Sequence, residues 1–288
     1  MSALALVMVL GAALLHAFWN LAAKRVRSGL PFVIATNLVI APLYVPVVAA
    51  LLLWRQPQVP WADLWVVAVS SMLKLGYALV LQHAYRKGDF SLVYPLARGT
   101  GPLLAVAAAI LFLGERPGPW ALTGAALIIA GIYLLTGGHR LLRADHAHLV
   151  GAVKFGVLTG VFIASYSVWD AHAVADRGIP PLLFDAGTGW VMLVVLSPLV
   201  WRRRAEVTEV WRHHRREVLI VSFLSPVAYV LVLTAVTFTP LTHVAPVREV
   251  SMLFGALLGA HVLREGDLRR RLGAAAAMAA GVMLIALG

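Results

Sequence analysis

Basic side chains interrupt several long apolar stretches of the sequence, where an ionisable group is costly unless it has a partner or water. Arg98 and Arg248 lie in two of these stretches, and guanidinium groups bind carboxylate or phosphate through paired hydrogen bonds. Lys74 places a third basic group in the middle of another apolar stretch. The three side chains predict contacts to an anionic group. The alternative is that they pair with internal carboxylates or extend outward to water.

Three carboxylates, Asp170, Asp185 and Glu249, also lie in apolar stretches. A carboxyl group that is shielded from water can bind and release a proton. We expect Glu249 to be the first candidate for proton coupling and Asp170 the second. Asp185 lies nearer the end of its stretch, so we expect it at an interface. Structural salt bridges are the alternative reading of all three.

Two apolar segments each carry an aromatic and hydrogen-bonding face. Residues three and four positions apart lie on the same side of a helix, and such a face suits the wall of a cavity for a small molecule. The alternative is hydrogen bonding and packing between helices. The faces are formed by His16, Trp19 and Asn20 in the first segment and by Tyr166, Trp169 and Asp170 in the second.

The composition assigns these residues to a membrane protein. Of 288 residues, 61% are hydrophobic and 13% charged, with mean hydropathy +0.85, whereas soluble domains carry about a quarter charged residues. The sequence has no cysteine and no nucleotide, metalloprotease or nucleophile-elbow motif. We therefore expect no enzyme activity, cofactor or metal. Despite the formal net charge of +11, we expect no nucleic-acid partner.

Ten apolar runs are long enough to cross a bilayer, which takes about 20 residues. The predicted fold class is an all-α integral membrane protein with ten transmembrane helices. The connections between them are short, except for the basic segment 201–217. The predicted spans are 3–23, 31–53, 61–84, 90–113, 118–136, 149–173, 180–200, 218–238, 241–263 and 272–287.

Charge predicts the orientation, because cytoplasmic connections collect Lys and Arg. Most of the 24 Lys and Arg residues lie in the odd-numbered connections, whereas the even-numbered ones hold only Arg55, Arg116 and Arg177. Both termini are therefore predicted to be periplasmic, and the basic side is predicted to attract anionic membrane lipids. The Arg-, Ala- and Gly-rich composition suggests a bacterial inner membrane.

An internal repeat runs through the chain at an offset of 150 residues. Trp19 matches Trp169 and Arg98 matches Arg248, without a gap between the halves. The predicted units are residues 1–143 and 149–288, each with five spans. Since five is odd, the second unit must be inverted relative to the first. Inverted repeats are typical of secondary transporters, which expose a central site to each side in turn.

The chain resembles the drug/metabolite transporter superfamily, specifically its EamA-type ten-span members. The resemblance rests on LHAFWN at 15–20, SLVYPLARG at 91–99 and LGER at 113–116, with counterparts VWD at 168–170, APVR at 245–248 and LREG at 263–266. It implies transport of amino acids, other metabolites or drugs. It also implies a cavity lined by spans one, three, four, six, eight and nine, with spans five and ten peripheral.

The predicted function is secondary active transport of a small anionic or zwitterionic metabolite, such as an amino acid or organic acid, by export or exchange. Protons are a candidate coupling ion. The alternatives are export of cationic amphiphilic drugs, a lipid-acting membrane enzyme and a scaffold without transport. The expected substrate-binding residues are Arg98, Arg248, Lys74, His16, Trp19, Asn20, Tyr94, Tyr166 and Trp169.

Overall fold

The chain folds into helices in a computed structural model that describes residues 2–26, 28–55, 61–112, 118–135, 146–239, 241–263 and 267–287. Within these ranges there is no strand. Short 3₁₀ and π turns cover Trp61–Asp63 and His172–Asp176. The α-helices are α1 (Ala3–Arg25), α2 (Leu30–Arg55), α3 (Leu64–Lys87), α4 (Phe90–Phe112), α5 (Pro119–Leu135), α6 (His146–Ala171), α7 (Pro181–Arg202), α8 (Arg204–Val236), α9 (Leu241–Glu249), α10 (Ser251–Val262) and α11 (Leu268–Leu287).

Six segments within the described ranges combine the length and hydropathy needed to cross a membrane, and α5 is a shorter apolar helix. The prediction of an all-helical membrane fold is confirmed, and the count of ten spans stays a prediction. The motif residues 113–116 and 264–266 lie outside the described residues. The six segments are Ala3–Arg25, Leu30–Trp54, Leu64–Lys87, Val150–Asp176, Pro181–Arg202 and Arg204–Val236.

The predicted ninth span, 241–263, forms two helices rather than one, because α9 ends at Glu249 and α10 begins at Ser251. At the break, the Val250 N–H donates to the Val247 carbonyl at 3.2 Å, and the Leu253 N–H donates to the Val250 carbonyl at 3.0 Å. These three-residue steps are tighter than the α-helical pattern. Hydropathy averaged over the whole run does not detect the break, since 241–263 is apolar on average although Arg248, Glu249 and Ser251 lie at the break itself.

The basic segment 201–217, predicted as a connection, is largely helical, since α8 begins at Arg204, two residues after α7 ends. Val207 and Val210 are one turn apart and pack onto the interior of the bundle, which explains why the segment is helical. The backbone at His214 is not helical (φ −130°, ψ 25°), so α8 is kinked there.

The basic helix ends lie together at one end of the bundle. Lys24, in the last turn of α1, donates to the carbonyl oxygens of Tyr85 (2.6 Å) and Gly88 at the end of α3. Arg271, in the first turn of α11, donates to Asp89 at 2.7 Å, just before α4. Three of the connections predicted to share one side of the membrane therefore meet in the structure.

The first helices of the two repeats run in opposite directions. The start of α1 and the end of α6 lie in one hydrophobic cluster, which includes Val9 and Tyr166, and the end of α1 and the start of α6 lie in another, which includes Val26 and Ala152. The α1–α8 and α3–α6 contacts are equivalent under the repeat, and α2, α4 and α5 each pack on their own counterparts α7, α10 and α11. The halves are thus interleaved and antiparallel.

Helices α5 and α11 approach each other closely at two glycines. A Cβ atom at Gly124 would lie 2.4 Å from the Gly281 carbonyl oxygen, and one at Gly281 would lie 2.6 Å from the Gly124 carbonyl oxygen. Small residues allow helix backbones in membranes to come this close. The contact joins the last helix of each repeat.

We expect Gly281→Ala to reduce the free energy of unfolding by about 1–3 kcal/mol, because the added methyl group would force the two backbones apart. Thermal unfolding of the purified protein in detergent measures the loss. Gly273→Ala in the same helix is the matched control, since a Cβ there meets nothing within 4 Å. Equal unfolding temperatures for the two variants would contradict the close contact.

Candidate functional site

A cavity of about 170 Å³ lies between the two repeats. Its walls come from α1, α2 and α3 of the first repeat and from α6, α7 and α8 of the second. Apolar side chains make up much of the wall. The polar and aromatic lining residues include His16, Trp19, Asn37, Lys74, Tyr77, Gln82, Tyr166, Asp185, Thr188 and Tyr229.

Lys74 lies at the centre of a charged group in the cavity wall, named here the lysine cluster (Lys74, Asp170 and Asp185). Its Nζ donates to Asp185 Oδ1 at 3.0 Å and to Thr188 Oγ1 at 3.2 Å, and lies 3.3 Å from Asp170 Oδ2. An ammonium group has three N–H donors, so these contacts use all of them.

Asp170 is the fully buried member of the lysine cluster. Ser70 on α3 donates to its Oδ1 at 2.6 Å, and Tyr229 on α8 donates to its Oδ2 at 2.5 Å. With Lys74, three donors surround the carboxylate. Hydrogen bonds of this kind stabilise a buried carboxylate in its charged form.

Asp185 is the carboxylate of the cluster that faces the cavity, with its side chain 12% exposed. Tyr44 on α2 donates to Asp185 Oδ2 at 2.5 Å, while Lys74 holds Oδ1. The expectation that Asp185 lies near the membrane interface stays a prediction, but the side chain faces the interior of the bundle. Asp185 is on the second turn of α7, and its contacts with α2 and α3 direct it inward.

Three tyrosines form a continuous aromatic wall beside the lysine cluster. The rings of Tyr77 and Tyr166 meet edge to face at 5.4 Å, and those of Tyr166 and Tyr229 at 5.9 Å. The Lys74 ammonium lies 4.3 Å from the centre of the Tyr229 ring, a cation–π contact. The aromatic wall therefore lies next to both the positive ammonium group and the negative carboxylates of the lysine cluster.

The polar face of α1 is held by hydrogen bonds within its own repeat. Trp19 Nε1 donates to His16 Nδ1 at 3.0 Å, and Tyr85 OH on α3 donates to Asn20 Oδ1 at 2.8 Å. His16 Nε2 is buried and has no hydrogen-bond partner among the described residues. His16 and Trp19 line the cavity, whereas Asn20 lies behind it.

A second charged group, the arginine cluster (Arg98, Arg248 and Glu249), is buried at the break between α9 and α10. Glu249 Oε1 lies 3.1 Å from Arg248 Nη2 and 3.5 Å from Arg98 Nη1. Arg248 also donates to Ser167 Oγ at 3.3 Å. The two repeat-related arginines therefore share one carboxylate, which is the internal pairing that the sequence left open.

Arg98 is 2% exposed, yet it donates no hydrogen bond to any residue within the described ranges. Its contacts are the ion pair with Glu249 and a cation–π contact of 5.5 Å with Tyr94. With each group ionised, the arginine cluster carries one surplus positive charge and the lysine cluster one surplus negative charge.

The comparisons with known proteins assign the family. The sequence matches the model of the EamA-like transporter family at residues 3–137 and again at 151–287. The chain belongs to the EamA-like transporter family. The match and the apolar helices together support a multi-pass membrane protein of a transporter family. No curated protein matches the sequence. A solved structure titled only "Crystal structure of protein" shares the fold, with TM-score 0.60 and 17% identity over 98% of each chain.

The cavity of this EamA-like protein includes four of the nine predicted substrate-binding residues, namely His16, Trp19, Lys74 and Tyr166. It is lined by α2 and α7 in place of the fourth and ninth spans that the resemblance implied. Arg98 and Arg248 lie in the arginine cluster instead. Tyr94 packs against Gly255, and Trp169 donates to the Val66 carbonyl at 2.9 Å. Of the predicted proton-coupling residues, Asp170 lies in the lysine cluster and Glu249 in the arginine cluster.

Sequence reasoning missed the hydroxyl groups around the two aspartates, which belong to Tyr44, Ser70 and Tyr229. One signal could have located part of the cluster. Lys74 has no basic counterpart in the second repeat, where Leu224 stands, so a carboxylate without an acidic counterpart is a candidate counter-ion. Asp170, matched by Asn20, and Asp185, matched by Ala35, are such carboxylates. Among the described residues, no three His, Asp or Glu side chains could hold a metal ion.

We expect Lys74→Met to reduce the free energy of unfolding by about 3 kcal/mol, because it leaves two largely buried carboxylates without a cation. Thermal unfolding of the purified protein measures the loss. Lys154→Met is the control, since Lys154 lies exposed on α6.

Adding Asp170→Asn to Lys74→Met should restore part of this stability, because the double variant removes one of the uncompensated charges. If the effects of the two substitutions on the free energy of unfolding simply added, Lys74 and Asp170 would not be energetically coupled.

Proposed function

We propose that this EamA-like protein is a secondary active transporter that moves a small zwitterionic or anionic metabolite, such as an amino acid or organic acid, across a bacterial inner membrane. The family supplies the class of activity, and the site supports the class of solute. Export or exchange by alternating access is the proposed mode.

The observation that carries the proposal is the pair of opposite charges in the cavity wall. Lys74 and Asp185 both line the space, 3.0 Å apart, beside the rings of Tyr77, Tyr166 and Tyr229. An organic acid can place its carboxylate near the lysine, and a zwitterion can also place its ammonium near the carboxyl oxygens of the aspartates, with the apolar part on the rings. Pockets that combine apolar walls with a few charged groups bind small molecules in a defined orientation.

Alternating access is supported by the antiparallel, interleaved repeats. The cavity lies where they meet, with three helices from each half. Two similar halves can exchange conformations by rocking, and a site between them is then exposed to each side in turn. The break in the predicted ninth span supplies a discontinuous helix, a recurrent feature near transporter binding sites.

Arg98 is proposed as a second contact for an anionic group. Its side chain is 2% exposed and its Nη1 has no hydrogen-bond partner among the described residues. A conformational change that opens the wall of His16 and Tyr77 would bring it toward the solute. Arg248 is the weaker candidate, because Glu249 and Ser167 already occupy its guanidinium group.

We expect flux of amino acids or organic acids in liposomes that contain the purified protein, and its loss in Arg98→Ala. Glu249 keeps Arg248 as a partner in this variant, so the unfolding temperature should stay close to that of the wild type. Trp201→Ala is the control, because Trp201 is 77% exposed and remote from the cavity. Unchanged flux in Arg98→Ala would contradict a role of Arg98 in transport.

Export of cationic amphiphiles is a second candidate, favoured by the surplus carboxylate of the lysine cluster and by its aromatic wall. The fourth basic residue of the apolar stretches, Lys154, is exposed on α6. In the two clusters of the described interior, three basic groups therefore face three carboxylates, so there is no excess of basic groups there. Cationic dyes therefore belong in the same flux panel. Transport of dyes alone would replace the proposed solute class and leave transport in place.

The proposed orientation places the basic helix ends in the cytoplasm, against anionic lipid headgroups, and both termini in the periplasm. A reporter enzyme that is active only in the periplasm should therefore be active when fused to the C-terminus. The same reporter inserted after Arg25 should be inactive. The reverse pattern would overturn the orientation.

A further inference from the structure

The lysine cluster has one more carboxylate than its single ammonium group can neutralise. Asp170 and Asp185 both contact Lys74, at 3.3 and 3.0 Å, and within the described ranges no other cationic side chain pairs with either of them. A surplus charge in a largely buried site is costly. The cluster therefore favours the binding of a cation, and the smallest one is a proton.

The two aspartates differ in how far their charge is already compensated. Asp170 is fully buried and accepts from Ser70, Tyr229 and Lys74, so its carboxylate is well stabilised. Asp185 accepts from Tyr44 and Lys74 and faces the cavity, where water can deliver a proton. Asp185 is therefore the member that can be neutralised at the least cost.

Glu249 is in the opposite situation. It is the single carboxylate between Arg98 and Arg248, so a proton on Glu249 would leave two buried guanidinium groups without a counter-charge. The charge balance of the described residues thus opposes protonation in the arginine cluster and favours it in the lysine cluster.

We propose that Asp185 is the proton-binding group of the cavity, and that a proton on Asp185 releases one donor of Lys74 to hold an anionic group of the transported solute. The first part concerns the site alone, and the second rests on the proposed function. Asp185 Oδ1 gains the proton, its charge changes from −1 to 0, and Tyr44 continues to donate to Oδ2.

The contacts of Lys74 explain why the two binding events are linked. All three of its N–H donors are used while Asp185 is ionised. A proton on Oδ1 replaces the Lys74 contact there, and Asp170 and Thr188 continue to hold the ammonium group at the cavity wall. One donor then points toward the solute, so that a proton and an anionic group bind together rather than in competition.

The proton site can be tested without any solute. We expect acidification of the full-length protein in lipid vesicles to produce a carboxyl C=O band in the infrared difference spectrum that is missing in Asp185→Asn and retained in Glu249→Gln. Tyr44→Phe is the second variant, since it keeps the carboxyl group and removes its hydrogen-bond donor. There the band should move to higher frequency. A band that persists in Asp185→Asn, or disappears in Glu249→Gln, would overturn the assignment.

Flux measurements test the coupling, with radiolabelled amino acids and dicarboxylates as probes. In Asp185→Asn, we expect uptake driven by a pH gradient to fall about tenfold or more relative to solute exchange. An unchanged ratio would overturn the coupling role. If the wild-type protein shows the infrared band but moves no probe, the proton site stands and the proposed function fails. If it moves probes but the band does not depend on Asp185, the inference fails and the function stands.

Discussion

Compensation of buried charge is the constraint on which the polar interior of this protein depends. Within the described ranges, Lys74, Asp170, Asp185, Arg98, Arg248 and Glu249 are wholly or largely buried charged side chains, and they lie in two groups of three rather than in isolated pairs. The lysine cluster connects α3, α6 and α7, and the arginine cluster connects α4 with the break after α9. Helix packing therefore cannot change near the cavity without changing a charged contact, which makes these clusters suitable for linking ion binding to conformation.

The sequence predicted the features that depend on local pattern and on the repeat. Apolar runs marked the helices, and the match of Trp19 with Trp169 and of Arg98 with Arg248 predicted two similar halves. The odd number of runs in each half predicted that α1 and α6 run in opposite directions. Each of these conclusions rests on periodicity, charge or counting, which a single chain displays without three-dimensional information.

The pairing of charged groups was not predictable in the same way, because it joins residues far apart in the chain. Lys74 and Asp185 are 111 residues apart, and their contact depends on how α3 and α7 rotate about their axes. The repeat matched Arg98 with Arg248, but it could not show that Glu249 would lie between them. The break at Val250 was equally hidden, since neither a proline nor a glycine stands at 248–252 to mark the end of a helix.

Several charged residues of the interior lie where the repeat fails to match, whereas Arg98 and Arg248 match each other. Lys74 corresponds to Leu224, Asp185 to Ala35 and Glu249 to Gly99, whereas much of the apolar framework is shared between the halves. In the proposed alternating-access cycle, a symmetric framework would give two conformations of similar energy. If the charged groups were also symmetric, the site would be equivalent from both sides and a proton would bind equally well in each conformation. Because the lysine cluster has no equivalent at the symmetry-related position, the two conformations are electrostatically unequal. Only a proton affinity that differs between two conformations can shift the balance between them.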